Sequence, residues 1–304
     1  MDGIINVYKE AGFTSHDVVA KLRGILRQKK IGHTGTLDPD AVGVLPVCLG
    51  KATKVCELLT NEDKSYHAVC RLGIETDTQD ISGKVLRTCD YSMVTEERLR
   101  SIIHSFIGEI EQVPPMYSAL KVNGKKLYEL AREGKTVERK PRKITISDIQ
   151  LSEINLEEGS FAMDVTCSKG TYIRTLCHDI GQALGTVATM EHLIRTRVSI
   201  FQLEDAMKLA EIEAYMQQSE ESLLSRMIPI DALFSDYFRY QVNSSGISLL
   251  QNGNRLPIEA LGAMGDFAGQ TCRPGEQILV YDEAGRFRAI YEFGGSDYKV
   301  VKMF

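Results

Sequence analysis

The chain has 304 residues, of which 43% are hydrophobic and 25% are charged, and its formal net charge is −5. This composition is typical of a folded chain with one large domain and a smaller one, and it excludes disorder as the default. No run approaches the roughly 18 apolar residues of a membrane span, and the first residues lack the features of a signal peptide. We therefore expect a cytoplasmic protein with no membrane-spanning segment.

The first predicted elements are a strand at 4–8 and a helix that Thr14 or Ser15 caps, with apolar residues on one face. Further helices are predicted at 51–60, 95–110 and 171–184, and strands at 66–74, 117–123, 143–156 and 161–168. Because strands and helices succeed one another without strict βαβ alternation, the pattern favours a mixed α+β domain.

The composition of the chain and the type of predicted secondary structure change near residue 236. Residues 203–236 predict an acidic helical stretch, whereas the following residues form short strands punctuated by glycine, at 277–281, 287–293 and 299–303. We therefore predict two domains, 1–236 and 237–304, the second small and rich in β-strands.

A glycine-rich segment at 32–43 contains His33 and Asp38. Glycine permits backbone conformations denied to other residues, and Pro39 biases Asp38 toward an extended conformation, so the segment predicts a loop that presents a carboxylate. A phosphate-binding loop does not fit, because Gly43 precedes Gly50 by seven residues rather than five. A calcium loop around 77–80 lacks the alternating ligands and the central glycine.

Positive charge is segregated despite the negative total. Residues 121–143 contain nine Lys or Arg and three Glu, and a second basic run at 21–30 leads into the glycine-rich segment. Phosphate contacts need local rather than net charge, so these runs are compatible with a polyanion partner as well as with two solvated faces.

Two further short constellations contain reactive side chains. Lys64 and Tyr66 begin a predicted strand, and 167–175 includes Tyr172 and Arg174 near the start of a helix. The aromatic ring and the cation could provide a stacking surface and a fixed charge, or a packed aromatic and a surface charge. The seven widely spaced cysteines include no Cys-x-x-Cys pair, so we expect reduced thiols and no metal site.

Taken together, these motifs resemble the TruB family of tRNA pseudouridine synthases. The resemblance covers about 200 residues, in segments at 3–15, 31–54, 64–83, 114–121, 167–181 and 193–197. Glu10 departs from the family pattern, which usually has proline there. The C-terminal region is similar, more weakly, to a PUA-type RNA-binding module.

The resemblance implies a fold and a reaction. The fold would be a mixed, mostly antiparallel sheet of the pseudouridine synthase type, followed by the PUA-like domain. The reaction would detach a uracil base from its ribose and rejoin it through carbon, which requires no cofactor. Asp38 would be the nucleophile, on the ribose or on the pyrimidine ring, and Arg174 would pair with it and favour its ionised form.

The resemblance also implies roles in substrate binding. Tyr66 would stack on the base and assist proton transfer, Tyr172 and Leu193 would line the uridine pocket, and His33 would fill the space that flipped bases vacate.

The implied partner is the T-arm stem-loop of tRNA, modified at the uridine numbered 55, with no obligate protein partner. Expected contacts to the RNA backbone are Lys21, Lys64, Lys121, Arg139, Lys140, Arg142 and Lys143. Two alternatives are a non-catalytic tRNA-binding or tRNA-folding protein and a guide-RNA-directed enzyme of ribosomal RNA. The second alternative usually has long basic extensions, which this sequence lacks.

Overall fold

The computed structural model describes residues 1–122, 124–264 and 272–304. In the first 202 residues, the described strands are β1 (Gly3–Lys9), β2 (Ile31–His33), β3 (Val42–Leu49), β4 (Lys64–Leu72), β5 (Ile74–Thr76), β6 (Val85–Thr88), β7 (Gly108–Gln112), β8 (Lys121–Val122), β9 (Lys125–Lys126), β10 (Arg142–Asn155), β11 (Ser160–Cys167), β12 (Ala188–Val198) and β13 (Phe201–Gln202). The described helices before residue 225 are α1 (Ser15–Leu26), α2 (Cys56–Asn61), α3 (Glu96–Ser105), α4 (Leu127–Arg132), α5 (Ile173–Leu184), α6 (Leu209–Gln218) and α7 (Glu220–Leu224).

The larger sheet has the strand order β1-β3-β12-β4-β11-β10-β7, with β2 paired to β3 and β13 paired to β12. Its neighbours are antiparallel, except that β12 runs parallel to β3. This arrangement confirms the predicted mixed, mostly antiparallel sheet. The parallel pair is important for the site, because it brings β12 beside the strand that follows the glycine-rich segment.

Helices cover the sheet and bury its apolar residues. Thr14, one of the two predicted caps, is the N-cap of α1, and it forms a capping box with Asp17. The face of α1 with Val18 and Leu22 is buried against β1 and β3. α3 and α5 pack on a second cluster, which contains residues of β4, β10 and β11. The sheet is therefore the rigid platform from which the loops project.

A second, six-stranded sheet follows in the C-terminal part of the chain. Its strands are β14 (Phe238–Val242), β15 (Leu256–Pro257), β16 (Leu261–Ala263), β17 (Gln277–Tyr281), β18 (Phe287–Phe293) and β19 (Asp297–Met303), and α8 (Ile247–Gln251) lies between β14 and β15. The order is β15-β19-β18-β17-β14-β16, consistent with the predicted β-rich, PUA-like region. One apolar cluster contains Leu279 and Ile290 of this sheet together with Ile4 and Val44 of the larger sheet. The domain boundary at residue 236 stays a prediction.

Several predicted elements differ from the structure. The helix predicted at 95–110 ends at Ser105, and residues 108–110 belong to β7. In the strand predicted at 117–123 only Lys121–Val122 is a strand, residues 117–120 are irregular, and residue 123 lies outside the described residues. Residues 50–55 form a 3₁₀ helix before α2. The central strands β3 and β12 were not predicted.

No helix among the described residues is both long and apolar enough to cross a membrane.

Candidate active site

Asp38 lies in the loop between β2 and β3, and residues of β1 and α1 hold this loop in place. The Pro39 carbonyl accepts a hydrogen bond from Lys9 Nζ at 2.9 Å. The Leu37 N–H donates to Oγ of the buried Ser15 at 3.0 Å. Because both neighbours of Asp38 are anchored, its position is set by the fold before any substrate binds.

The end of the loop is fixed by a close approach between two strands. Gly43 has φ +106°, and a Cβ atom there would lie 2.3 Å from the backbone oxygen of Arg195. Any side chain would therefore push β12 away from β3. Glycine at this position keeps Arg195 paired with the strand that leaves the Asp38 loop.

Arg174 binds the Asp38 carboxylate with two nitrogens on one edge of its guanidinium. Nε lies 2.9 Å from Oδ2, and Nη2 donates to Oδ1 at 3.2 Å. The guanidinium also donates to the carbonyls of Thr78 and Tyr117, each at 2.8 Å. Only 5% of the Arg174 side chain is exposed, so these contacts fix its orientation. A planar fork with several donors is required here, and lysine cannot reproduce it.

The charge on Asp38 reflects two opposing effects. Burial raises the pKa of the Asp38 carboxyl above its ordinary value, whereas Arg174 opposes this shift and Asp80 adds to it. Arg174 thus favours the ionised form, as expected, but desolvation is the larger influence. The Asp38 side chain remains 39% exposed, so the ion pair still leaves part of the carboxylate open to a ligand.

Tyr66 and Leu193 lie on the adjacent strands β4 and β12. They share one apolar cluster with Leu37, which precedes Asp38, and their exposed fractions are 8% and 6%. Burial raises the pKa of Tyr66 to about 12, so the phenol is neutral at neutral pH. An aromatic and an aliphatic side chain next to a carboxylate form a surface suited to a flat, uncharged base.

Tyr172 immediately precedes α5, and its backbone is held from both sides by one buried side chain. Its N–H donates to Gln112 Oε1 at 2.8 Å, and its carbonyl accepts from Gln112 Nε2 at 3.1 Å. Asp38 lies close enough for its charge to act on the phenols of both Tyr66 and Tyr172. Three of the residues predicted for chemistry or base binding, Arg174, Tyr66 and Tyr172, therefore lie near the Asp38 carboxylate, and Leu193 shares an apolar cluster with Tyr66 and Leu37.

Two protein-family models match this chain. The model of the TruB family pseudouridylate synthase N-terminal domain matches residues 23–173, and that of the tRNA pseudouridylate synthase B C-terminal domain matches residues 174–235. The tRNA pseudouridine synthase B of Lachnoclostridium phytofermentans is 51% identical, in an alignment of 312 positions that covers 100% of both chains. The chain belongs to the TruB family of pseudouridylate synthases.

Another TruB protein and two solved structures are also similar to this chain. The tRNA pseudouridine synthase B of Halalkalibacterium halodurans is 44% identical, over 96% of this chain and 93% of the relative. A solved H/ACA ribonucleoprotein bound to a substrate RNA containing 2'-deoxyuridine has a TM-score of 0.71 at 26% identity, over 99% of this chain and 84% of that chain. A Cbf5-Nop10-Gar1 complex gives the same TM-score and coverage at 28% identity.

In this TruB protein, His33 ends β2, at the start of the Asp38 loop. Its ring contacts the edge of His16, with centroids 5.2 Å apart, and its Nδ1 accepts a hydrogen bond from the Gly35 N–H. Burial, and then the nearby His16, lower the pKa of His33. The imidazole is therefore neutral at neutral pH, which suits a side chain that stacks on bases.

The residues predicted to contact phosphate differ in how exposed their side chains are. Lys21, Lys121, Lys140, Arg142 and Lys143 are exposed. Arg139 is half-buried, and its Nη1 donates to the Pro114 carbonyl. Lys64 differs from the expectation, because its ammonium is buried and donates to the carbonyls of Thr60 and Glu62. An ammonium engaged in this way is not on the surface that a phosphate contact requires.

Sequence reasoning did not include three charged side chains of the site. Asp80 Oδ2 lies 3.7 Å from Arg174 Nη1. Lys9 and Arg195 both donate hydrogen bonds to backbone carbonyls of the Asp38 loop. All three fall within the segments of family resemblance. Only the folded structure reveals their contacts, because each contact joins residues that are distant in sequence.

Proposed function

We propose that this protein converts uridine 55 in the T-loop of tRNA to pseudouridine, with Asp38 as the nucleophile. The observation that carries the proposal is the Asp38 carboxylate held by the Arg174 fork beside Tyr66 and Leu193. Curated relatives named tRNA pseudouridine synthase B, at 44 to 51% identity, support tRNA as the substrate.

The geometry suits the chemistry of this isomerisation. The bond from ribose C1' to N1 must break, the base must turn, and a bond from C1' to C5 must form. C5 loses its proton and N1 takes up a proton, so that the product is an isomer of the substrate. An ionised carboxylate that is partly open to a ligand can attack without a separate base. Tyr66 and Leu193 would hold the detached uracil on its two faces, and Tyr172 would border the pocket.

A uridine within a folded T-arm must leave its stack to reach Asp38, at a cost of a few kcal/mol. His33 is a neutral ring at the rim of the loop, and stacking contributes roughly 1–3 kcal/mol per base. It would occupy the space that the flipped nucleotide vacates. The exposed residues Lys21, Lys121, Lys140 and Arg142 would contact phosphates, which makes binding dependent on salt.

The test uses the purified chain alone with an unmodified tRNA transcript and with an isolated T-arm hairpin. Carbodiimide modification followed by primer extension maps each pseudouridine. We expect one product, at position 55, on both RNAs and without an added protein. Binding without product on any tRNA would favour the non-catalytic alternative. Product that forms only with an added guide RNA would favour the guide-directed alternative.

A further inference from the structure

Arg195 is a buried arginine at the centre of the larger sheet, with only 1% of its surface exposed. No carboxylate among the described residues forms an ion pair with it. Removing a guanidinium from water costs several kcal/mol unless hydrogen bonds replace those to solvent. The contacts of the Arg195 guanidinium must therefore offset the cost of burying it beside the candidate active site.

The guanidinium of Arg195 contacts both β3 and the loop that carries Asp38. Its Nε donates to the Val44 carbonyl at 2.7 Å, on β3, and its Nη2 donates to the Gly35 carbonyl at 3.4 Å, in the Asp38 loop. A Cβ atom at Gly35 would lie 3.6 Å from Nη1, so the loop backbone packs directly on the guanidinium.

On its other side, Arg195 faces Tyr66. The register of β12 and β4 places Arg195 directly opposite Tyr66, and such cross-strand neighbours have Cβ atoms about 5 Å apart. The Arg195 charge acts on the Tyr66 phenol and lowers its pKa, against the larger effect of burial. Arginine has no acceptor, so in a hydrogen bond between these two side chains the Tyr66 oxygen accepts.

We propose that Arg195 is a positioning residue, which clamps the Tyr66 hydroxyl to the loop that carries Asp38. The clamp fixes these two groups relative to each other on either side of the uridine, and this role rests on the proposed function. Lys9 and Ser15 hold the same loop at the two neighbours of Asp38. A lysine at position 195 would keep the charge but could not reach the backbone acceptors and the phenol together.

The first test compares Arg195→Lys with Arg197→Lys. Arg197 lies on the same strand but contacts Ser65 and the Ser199 carbonyl, so it is a matched control. Single-turnover rates at saturating T-arm hairpin are measured from tritium released at C5. We expect Arg195→Lys to lower this rate about 100-fold, the effect of a misplacement near 1 Å, with RNA affinity within about threefold of wild type. Arg197→Lys is expected to retain the wild-type rate.

The second test observes the phenol directly, without RNA. In protein labelled at tyrosine Cζ with ¹³C, the Tyr66 resonance is assigned by its loss in Tyr66→Phe. We expect it to shift in Arg195→Lys and to stay unchanged in Arg197→Lys. A merely structural role would not single out this resonance.

Three outcomes would overturn the clamp: a rate for Arg195→Lys within threefold of wild type, a loss of rate with an unmoved Tyr66 resonance, or a loss confined to RNA affinity. Melting curves report folding, and Arg195→Gln provides a second variant. If neither variant folds, Arg195 serves stability and the proposal is wrong. Absence of product from wild type would instead contradict the proposed function, which the RNA-free spectra do not depend on.

Discussion

The floor of the candidate site and the basic segment at 121–143 are both rich in positive charge, but they use it differently. In the site floor, defined here as Lys9, Arg174 and Arg195, each cation is buried and donates to backbone carbonyls. In the basic segment, Lys121, Lys140 and Arg142 are exposed to solvent. Buried charges act through fixed geometry, whereas exposed charges act through a screened field.

This difference predicts two kinds of response to mutation. Replacing one cation of the site floor should affect the chemical step strongly and RNA binding little. Replacing cations of the basic segment should weaken binding gradually, in proportion to the number removed, and leave the chemical step unchanged once RNA saturates the enzyme.

The large effect expected for the site floor is tested first with Arg174→Lys. Lysine keeps a charge but loses the fork that holds Asp38, and loss of one fixed donor at a reacting group typically costs about 100-fold in rate. Single-turnover kinetics on the T-arm hairpin measure the rate, and filter binding measures affinity. A variant with at least half of the wild-type rate would show that the fork is dispensable.

The next largest effect concerns the basic segment, in a triple variant that replaces Lys121, Lys140 and Arg142 with glutamine. Three exposed cations that contribute about 0.5 kcal/mol each amount to roughly a tenfold loss of tRNA affinity. The slope of log affinity against log salt should also fall by about 0.7–0.9 for each phosphate that is no longer neutralised. If the salt slope is unchanged, the phosphates are bound by other residues.

A smaller effect is expected in the pH dependence. Burial raises the pKa of Asp38, so the rate should decline, as pH falls, at a pH above the ordinary carboxyl value of 3.8. Because Arg174 lowers this pKa, weakening the pair in Arg174→Lys should move the acid limb to higher pH. The residual single-turnover rate is measured between pH 4 and pH 8 with a folded control at each pH. An acid limb that moves to lower pH would contradict this assignment.

The smallest effect is expected for Lys64→Met, which sharpens the comparison because the sequence predicts that Lys64 contacts phosphate. Its ammonium is buried, and desolvation lowers its pKa to about 8. We therefore expect the salt slope to match that of wild type. A decrease in slope equal to that of a single exposed lysine would return Lys64 to the RNA-binding surface.

The elements that were predicted correctly are those with a clear cap or periodicity in their own sequence. α1 follows from the Thr14 cap and helical spacing, and β4 follows from alternation, which the structure retains as alternate buried positions. β3 was missed because all eight of its residues are buried and it therefore shows no alternation. The helix predicted at 95–110 is longer than α3, because the apolar spacing continues into the edge strand β7.

The same limit applies to the site. Asp38 was recognised from its loop, and Arg174 from its family motif, because each lies in a distinctive local sequence. The role proposed for Arg195 depends on the strand register, which places this residue opposite Tyr66 and beside Gly43. No local pattern encodes such a register, so a residue of this kind is found only after the sheet is assembled.

The most direct test of the central role of Asp38 is the variant Asp38→Asn on the isolated T-arm hairpin. Asparagine keeps the shape and can still accept from Arg174, but it cannot act as a carboxylate nucleophile. We predict that pseudouridine formation is abolished and that RNA binding stays within about threefold of wild type, a difference of about 0.7 kcal/mol. Pseudouridine formed by Asp38→Asn at the wild-type rate would contradict the account.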